Sequence, residues 1–221
     1  MSVFQVNDYQ MLSGFDASNA QLGIAQRQPL EGAEAFFDAL MQAPLRVIAH
    51  VRHDNSIQDI EESLEGYIPR ALQDDAFYPL WIRDMARLCE FFCGILGSER
   101  VGFYLGTERG CRRYHIDNVP MRLLVTYAGQ GTEWVPDQAV DRNAFLSGEE
   151  NEKIVIDPSK REYMNKWDVA IFRGGSKGLL HRTPDSALTR SSILMRLDHA
   201  GFWDSIVQQE QNSAPIKVMS A

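Results

Sequence analysis

The chain has 221 residues, of which 44% are hydrophobic and 24% are charged, so its composition is that of an ordinary globular protein. This composition excludes a disordered or fibrous chain, and no apolar run is long enough to cross a bilayer. The formal net charge of −8 disfavours a non-specific nucleic-acid binder, because contacts with phosphates dominate the affinity of such proteins.

The three cysteines are too few for a disulfide framework. The N-terminal residues also lack a basic region followed by an apolar stretch, so we expect no secretory signal. A reducing cytoplasm without membrane association is the simplest location for such a chain. Nothing in the sequence indicates an oligomeric state.

The first 30 residues are polar, and we expect them to be irregular. Apolar residues then recur at helical spacing in residues 33–41, and a short strand is predicted for residues 45–51. Further helices are predicted over residues 57–64 and 81–95, with Gly97 as the natural end of the second.

Short β-type segments separated by turn residues follow Gly97. The eight predicted strands are residues 101–105, 113–117, 123–127, 132–135, 153–156, 167–172, 179–182 and 191–197. This pattern predicts an α+β chain in which helices pack on an antiparallel sandwich or barrel. The expected regions are residues 1–30 (irregular), 31–97 (mainly helical), 98–207 (β-fold) and 208–221 (a loose tail).

Metal-ligating residue types are grouped in the predicted β-region. His115 and Asp117 lie two apart on a predicted strand and therefore project to the same face. His181 falls on another predicted strand. Two histidines and one carboxylate form the facial triad that suits non-haem Fe(II). The same His115–Asp117 pair could equally form a structural hydrogen bond without any metal.

The last predicted strand carries arginines that could bind an anion. Arg190, Leu194 and Arg196 share one face of that strand. An inward-facing arginine needs a partner, and a dicarboxylate such as 2-oxoglutarate would provide one. Residues 100–122 also contain five arginines, so we expect a small anionic co-substrate near this stretch.

Two segments resemble a bacterial family known as domain of unknown function 1826. They read CRRYHIDNVPMRLLVTYAGQGTEWVPD (residues 111–137) and HRTP (residues 181–184). The resemblance covers most of the chain beyond about residue 30. It implies no particular activity.

The C-terminal half is also similar in pattern to Fe(II)/2-oxoglutarate-dependent dioxygenases. That resemblance implies a cupin-like double-stranded β-helix, with the N-terminal helical region packed on it. It also implies His115, Asp117 and His181 as the iron ligands and catalytic centre. The arginine that anchors 2-oxoglutarate would be Arg190, with Arg196 as a rival. A co-substrate hydroxyl contact would come from Tyr127 or Tyr104.

Three hypotheses follow from these residues. The preferred one is an Fe(II)/2-oxoglutarate-dependent oxygenase that hydroxylates an unidentified substrate. The second is a non-catalytic zinc-binding protein that uses the same ligands and serves metal homeostasis. The third is a metal-free β-fold that acts as an interaction module. Both metal hypotheses require the three proposed ligands to converge.

Overall fold

A computed structural model of the protein describes residues 3–176 and 178–202. Seven strands form a large mixed sheet, and three form a small antiparallel sheet. The ten strands are, in chain order, β1 (Val3–Val6), β2 (Leu22–Ala25), β3 (Arg46–Arg52), β4 (Arg100–Gly106), β5 (Met121–Ala128), β6 (Glu133–Val135), β7 (Glu162–Tyr163), β8 (Val169–Arg173), β9 (Leu180–Arg182) and β10 (Ile193–His199).

The large sheet has the strand order β1-β2-β8-β5-β10-β4-β3, and the small sheet has the order β7-β6-β9. Only the β1–β2 pair is parallel among the described strands. The two strands β5 and β10 therefore lie in the interior of the large sheet, where both of their edges are hydrogen-bonded.

Seven helices accompany the sheets in the described residues: α1 (Ala33–Leu40), α2 (Ser56–Leu64), α3 (Arg70–Gln73), α4 (Tyr78–Leu96), α5 (Arg142–Leu146), α6 (Asn151–Ile154) and α7 (Asp185–Thr189). The longest, α4, ends where the sequence predicts. Gly97 takes a left-handed conformation with a φ of 59°, and the Ser98 N–H donates to the Cys93 carbonyl at 3.0 Å. Glycine adopts this conformation at little steric cost, so it terminates the helix.

The main core lies between the helices and one face of the large sheet. Aromatic side chains of α1 and α4, such as Phe37 and Trp81, are buried there. They meet alternate residues of β5, of which Tyr127 contacts both rings at centroid distances of 5.8 and 6.0 Å. The odd-numbered residues of β5 and β10 therefore face the helices.

The even-numbered residues of the same strands face the small sheet. Leu124 of β5 and Leu194 of β10 pack in a second cluster with Trp134 of β6. The chain thus forms a layer of helices, a large sheet and a small sheet. The space between the two sheets is where the polar side chains Arg122 and Arg196 are placed.

The first 30 residues differ from their predicted irregular state, because they contribute two strands to the large sheet. β2 pairs with β8, and β1 pairs with β2 at the sheet edge. Each strand has only four residues, which is too short to give a visible alternation in the sequence. The partner strand β8 lies far along the chain and supplies the hydrogen bonds that make β2 extended.

The change from mainly helical to mainly β-type sequence at Gly97 does not mark a boundary between two structural units. The large sheet takes β1, β2 and β3 from before this residue and its other strands from after it. The predicted strand at residues 45–51 is present as β3, inside the region expected to be mainly helical. The predicted tail, residues 208–221, lies outside the described residues, as do residues 203–207 of the predicted β-region.

Two predicted strands are also different in the structure. Residues 113–117 form only one isolated bridge, at His115, because this segment pairs with β9 at a single point. Residues 153–156 are divided between the end of α6 and an isolated bridge at Val155. Both segments have strand-like composition but lack a neighbouring edge along their whole length.

Among the helices in the described part of the chain, none combines the length and the apolar character needed to span a membrane.

We predict that Trp81→Ala lowers the free energy of unfolding by about 3–5 kcal/mol, because it removes a large side chain that has no exposed surface. Urea denaturation followed by circular dichroism measures this loss. Leu80→Ala is the matched control on the same helix, since Leu80 is 41% exposed, and it should change stability by about 0.5 kcal/mol or less. Equal losses in the two variants would contradict the assignment of Trp81 to the core.

Candidate metal centre

The two candidate histidine ligands are held side by side by a main-chain bridge. The N–H of His115 donates to the carbonyl of His181 at 2.9 Å, and the N–H of His181 donates to the carbonyl of His115 at 3.1 Å. This antiparallel pair places the two imidazole ring centroids 4.4 Å apart. β9 carries His181, and the bridge fixes the otherwise irregular segment around His115 against it.

Asp117 completes the group, as the spacing of the sequence predicts. Its two carboxylate oxygens lie 3.9 Å from Nε2 of His115 and 3.6 Å from Nε2 of His181. Both distances are too long for the structural His–Asp hydrogen bond that the sequence left open. Two ligand atoms that each lie about 2.1 Å from one ion can be at most about 4.2 Å apart, so both pairs are within reach of a common metal.

The carboxylate of Asp117 supports a fit to a cation. Its Oδ2 atom is buried and has no hydrogen-bond partner among the described residues. A buried carboxylate oxygen without a partner is costly, and a metal ion would supply the missing interaction. One ligand atom from each of His115, Asp117 and His181 can be chosen so that all three lie within 4.8 Å of one another. The residues present therefore fit a divalent metal.

Both imidazoles are oriented by backbone carbonyls. Nδ1 of His115 lies 3.0 Å from the carbonyl of Arg113, and Nδ1 of His181 lies 3.1 Å from the carbonyl of Leu179. A carbonyl oxygen only accepts, so Nδ1 carries the hydrogen in each ring. In the neutral form of each ring the lone pair is then on Nε2, the nitrogen that lies near Asp117. Metal-binding histidines are commonly held this way.

Burial shifts the two imidazoles differently. Desolvation lowers the pKa of His181 to about 4, because the charged form is disfavoured in the interior. Burial also acts to lower the pKa of His115, but hydrogen bonds with the Cys111 thiol and the Arg113 carbonyl outweigh it, so that pKa is raised. The reciprocal hydrogen bond with His115 lowers the pKa of Cys111. His181 is therefore neutral and ready to bind a metal at physiological pH.

Two arginines and a second aspartate surround the group. Arg122 forms ion pairs with Asp117 and, through Nε at 2.6 Å, with Asp198. Arg196 pairs with the other oxygen of Asp198 at 3.0 Å. Asp198 has no exposed surface. Burial, followed by repulsion from Arg122, lowers the pKa of Arg196. Two guanidinium groups thus share the charge of one buried carboxylate.

A cavity of about 120 Å³ opens beside the two histidines, between the large and small sheets. Arg196, Leu124 and Leu194 line the side formed by the large sheet. Tyr104 lies there as well, with its ring 5.2 Å from the Arg196 guanidinium. The cavity therefore combines metal-ligating groups, a positively charged wall and apolar side chains.

The structure places two of the four cofactor-binding candidates outside the cavity wall. Arg190 is exposed, follows α7 and is not part of the cavity wall, because β10 starts only at Ile193. Tyr127 is buried on the helical face of β5, where its hydroxyl donates to Asp84 at 2.8 Å. The structure places the other two candidates, Arg196 and Tyr104, in the cavity wall.

Several polar residues around the cavity were not identified from the sequence. Glu133 has no exposed surface and pairs with Arg182 at 2.9 Å and with the hydroxyl of Tyr114. Burial and the charge of Glu133 raise the pKa of Tyr114. Tyr114 immediately precedes His115, and Arg182 immediately follows His181. The contacts of Glu133 with these two residues therefore support the bridge. The available signal in the sequence for such residues was a charged side chain within an otherwise apolar strand, such as Arg122 in β5.

A glycine pair supports the backbone at Asp117. The N–H of Gly175 donates to the carbonyl of Asp117, and that of Gly174 donates to the carbonyl of Pro120, both at 3.0 Å. A Cβ atom at Gly174 would collide with the carbonyl of Val119 and lie 2.5 Å from the carbonyl of Asp117. The close approach of these two backbones therefore requires glycine.

We predict that Gly174→Ala weakens metal binding by about 10-fold or more, since ligand-supporting contacts commonly contribute 10- to 100-fold. Calorimetric titration with Mn(II), an oxidation-resistant substitute for Fe(II), measures the affinity of the protein for the metal. Gly94→Ala is the control, because open space surrounds that position on α4. A Gly174→Ala variant that binds metal as tightly as this control would contradict the proposed backbone support.

Solved structures with similar backbones have very low sequence identity. A bsmA homolog from Methylobium petroleophilum PM1 is 9% identical, with a TM-score of 0.43 over 87% of this chain and 93% of that chain. An oxidoreductase of the 2OG-Fe(II) oxygenase family from Burkholderia pseudomallei is 10% identical, with a TM-score of 0.39 over 90% of this chain and 94% of that chain. TM-scores below 0.5 do not establish a common fold.

No curated protein sequence matches the chain. The family described as protein of unknown function (DUF1826) matches residues 7–198. Because this match spans most of the sequence, including all three candidate ligands, the chain belongs to the DUF1826 family.

Proposed function

We propose that this protein is an Fe(II)- and 2-oxoglutarate-dependent oxygenase that hydroxylates a substrate still to be identified. The observation that carries the proposal is the convergence of His115, Asp117 and His181 beside a cavity with an arginine in its wall. Two imidazoles and one carboxylate suit Fe(II) and leave further coordination positions open. Iron and 2-oxoglutarate together would supply dioxygen activation coupled to oxidative decarboxylation of the keto acid.

Arg196 is the proposed anchor for the distal carboxylate of 2-oxoglutarate. It lies on β10 in the cavity wall and shares its counter-ion, Asp198, with Arg122. A carboxylate of the co-substrate would accept a charge-assisted hydrogen bond from the Arg196 guanidinium. Leu124 and Leu194 line the same cavity and would contact the methylene groups of the co-substrate. Tyr104 lies against Arg196 and would help to hold its guanidinium in place.

The scaffold proposed for this chemistry is a double-stranded β-helix of the cupin type. Its support is the placement of the cavity between two sheets, with ligands near β9 and the anchor on β10. A cytoplasmic location is part of the same proposal, since all three cysteines are free thiols and ferrous iron persists in a reducing environment.

A non-catalytic zinc protein that uses the same three ligands is the second candidate function. The observation that favours it is the group His115, Asp117 and His181 itself, because two imidazoles and one carboxylate also suit a zinc site. Metal analysis of protein purified without added metal separates the candidates. Stable zinc that is lost in His181→Ala, with no affinity for 2-oxoglutarate, would favour the zinc protein.

Anaerobic titration with Fe(II) and 2-oxoglutarate tests the oxygenase. We predict a weak visible charge-transfer band for the wild type and its absence in His115→Ala. Arg196→Gln should raise the dissociation constant of 2-oxoglutarate by roughly 10- to 100-fold, because it removes a hydrogen bond to a charged group.

Arg190→Gln is the matched control for Arg196→Gln, since Arg190 is exposed and does not line the cavity. It should keep the affinity of the wild type. The absence of both the band and 2-oxoglutarate turnover in the wild type would overturn the oxygenase proposal. An Arg190→Gln variant impaired as strongly as Arg196→Gln would overturn the choice of anchor.

A further inference from the structure

Four arginines line the cavity beside the candidate metal centre, and three of them have carboxylate partners. Arg122 pairs with Asp117 and Asp198, and Arg196 pairs with Asp198. Arg182 pairs with Glu133 and Asp185. The fourth, Arg109, forms no ion pair with any carboxylate in residues 3–176 and 178–202.

Arg109 is nevertheless fixed in position. It lies in the irregular segment between β4 and His115, and it donates to the Gln130 carbonyl at 2.7 Å and to the Thr132 hydroxyl at 2.6 Å. Both acceptors are neutral, so they orient the guanidinium without balancing its charge. Burial lowers the pKa of Arg109 to about 10, which leaves the group positively charged at neutral pH.

A partly buried charge without a counter-ion costs stability. Arg109 could bind an anion in the cavity and keep both of its hydrogen bonds, because a guanidinium has five N–H donors. The protein carries a net charge of −8, so a local positive group is also what would draw a small anion to this particular place.

Arg109 is distinct from the cluster around Asp198. Tyr104 acts electrostatically on both arginines, but Arg109 is held by Gln130 and Thr132, whereas Arg196 pairs with Asp198. Of the two acceptors, Gln130 is exposed and Thr132 is buried, so Arg109 spans from the surface to the interior. It is therefore at the mouth of the cavity, whereas Asp198 has no exposed surface.

We propose that Arg109 binds an oxyanion, a carboxylate or a phosphate, of the primary substrate, so that the substrate is a small anionic molecule. The co-substrate would occupy Arg196, and the second anion would occupy Arg109. Naming this second anion the substrate rests on the proposed oxygenase function. The anion site itself needs no metal and can be tested without one.

The test is a calorimetric titration of metal-free protein at low ionic strength with inorganic phosphate and, separately, with acetate. The wild type should bind at least one of the two probes, and the preferred probe assigns the oxyanion as phosphate or carboxylate. Arg109→Gln should weaken that binding by at least 10-fold, and Arg109→Lys should restore part of it. The control is Arg112→Gln, which changes an exposed arginine outside the cavity and should bind as the wild type does.

Folding of each variant is checked by circular dichroism. If Arg109→Gln fails to fold, the Arg109 side-chain 15N signal of the wild type gives the same information, since it should shift saturably with the probe. A probe that does not bind the wild type, or that binds Arg109→Gln equally well, overturns the inference.

A second titration uses protein loaded with Mn(II) and 2-oxoglutarate. The probe should still bind, and Arg109→Gln should keep its affinity for 2-oxoglutarate within about 3-fold. If Arg109→Gln loses affinity for 2-oxoglutarate and 2-oxoglutarate displaces the probe, Arg109 binds the co-substrate. That result would overturn this inference but not the oxygenase proposal. If the wild type binds the probe but does not bind 2-oxoglutarate, the anion site is supported and the oxygenase proposal is overturned.

Discussion

Two main-chain hydrogen bonds between His115 and His181 hold together the part of the molecule where chemistry is expected. Residues 113–117 have no strand partner along their length, so this bridge and the hydrogen bond from the Tyr114 N–H to the Asn151 side chain position the first histidine. The bridge also explains why Asp117 reaches both imidazoles, since its side chain follows His115 by two extended residues. The ion pair of Glu133 with Arg182 and the contact of Gly175 with Asp117 secure the two sides of this bridge.

Burying the charged side chains around the bridge costs considerable free energy. Asp117, Arg122 and Asp198 are all buried, and removing such groups from water is unfavourable unless each finds a partner. Their pairing is incomplete, because Oδ2 of Asp117 has no hydrogen-bond partner among the described residues. Protein interiors rarely keep such a defect without a reason. A cation at the three ligands would supply the interaction that Oδ2 of Asp117 lacks.

The alternation of residues along strands made much of this arrangement predictable. It correctly placed His115 and Asp117 on one side, and Leu194 and Arg196 on another common face. The same rule applied to β5 would have excluded Tyr127, which lies an odd number of residues from Leu124 and so faces the helices. Amphipathic spacing identified α4, and a single glycine correctly marked its end.

Other features depend on partners that are distant in the sequence. β2 is extended because β8 lies beside it, and four residues carry too little pattern to reveal this. Arg190 lies outside the cavity wall because a short helix, α7, follows Pro184 and the last strand begins only at Ile193. The role of Arg109 follows only from the absence of an ion pair between its guanidinium and a carboxylate of the described residues, which a count of charges along the chain does not show.

The two histidines of the bridge are 66 residues apart in the chain, and most of the small sheet lies between them. Bringing such distant segments together closes a long loop, which the unfolded chain opposes through its entropy. An ion bound by residues at both ends of this loop would act as a reversible cross-link, comparable to a disulfide in its effect on the unfolded chain. Metal loading would then raise the free energy of unfolding of the segment between the two histidines, in addition to any chemistry performed there.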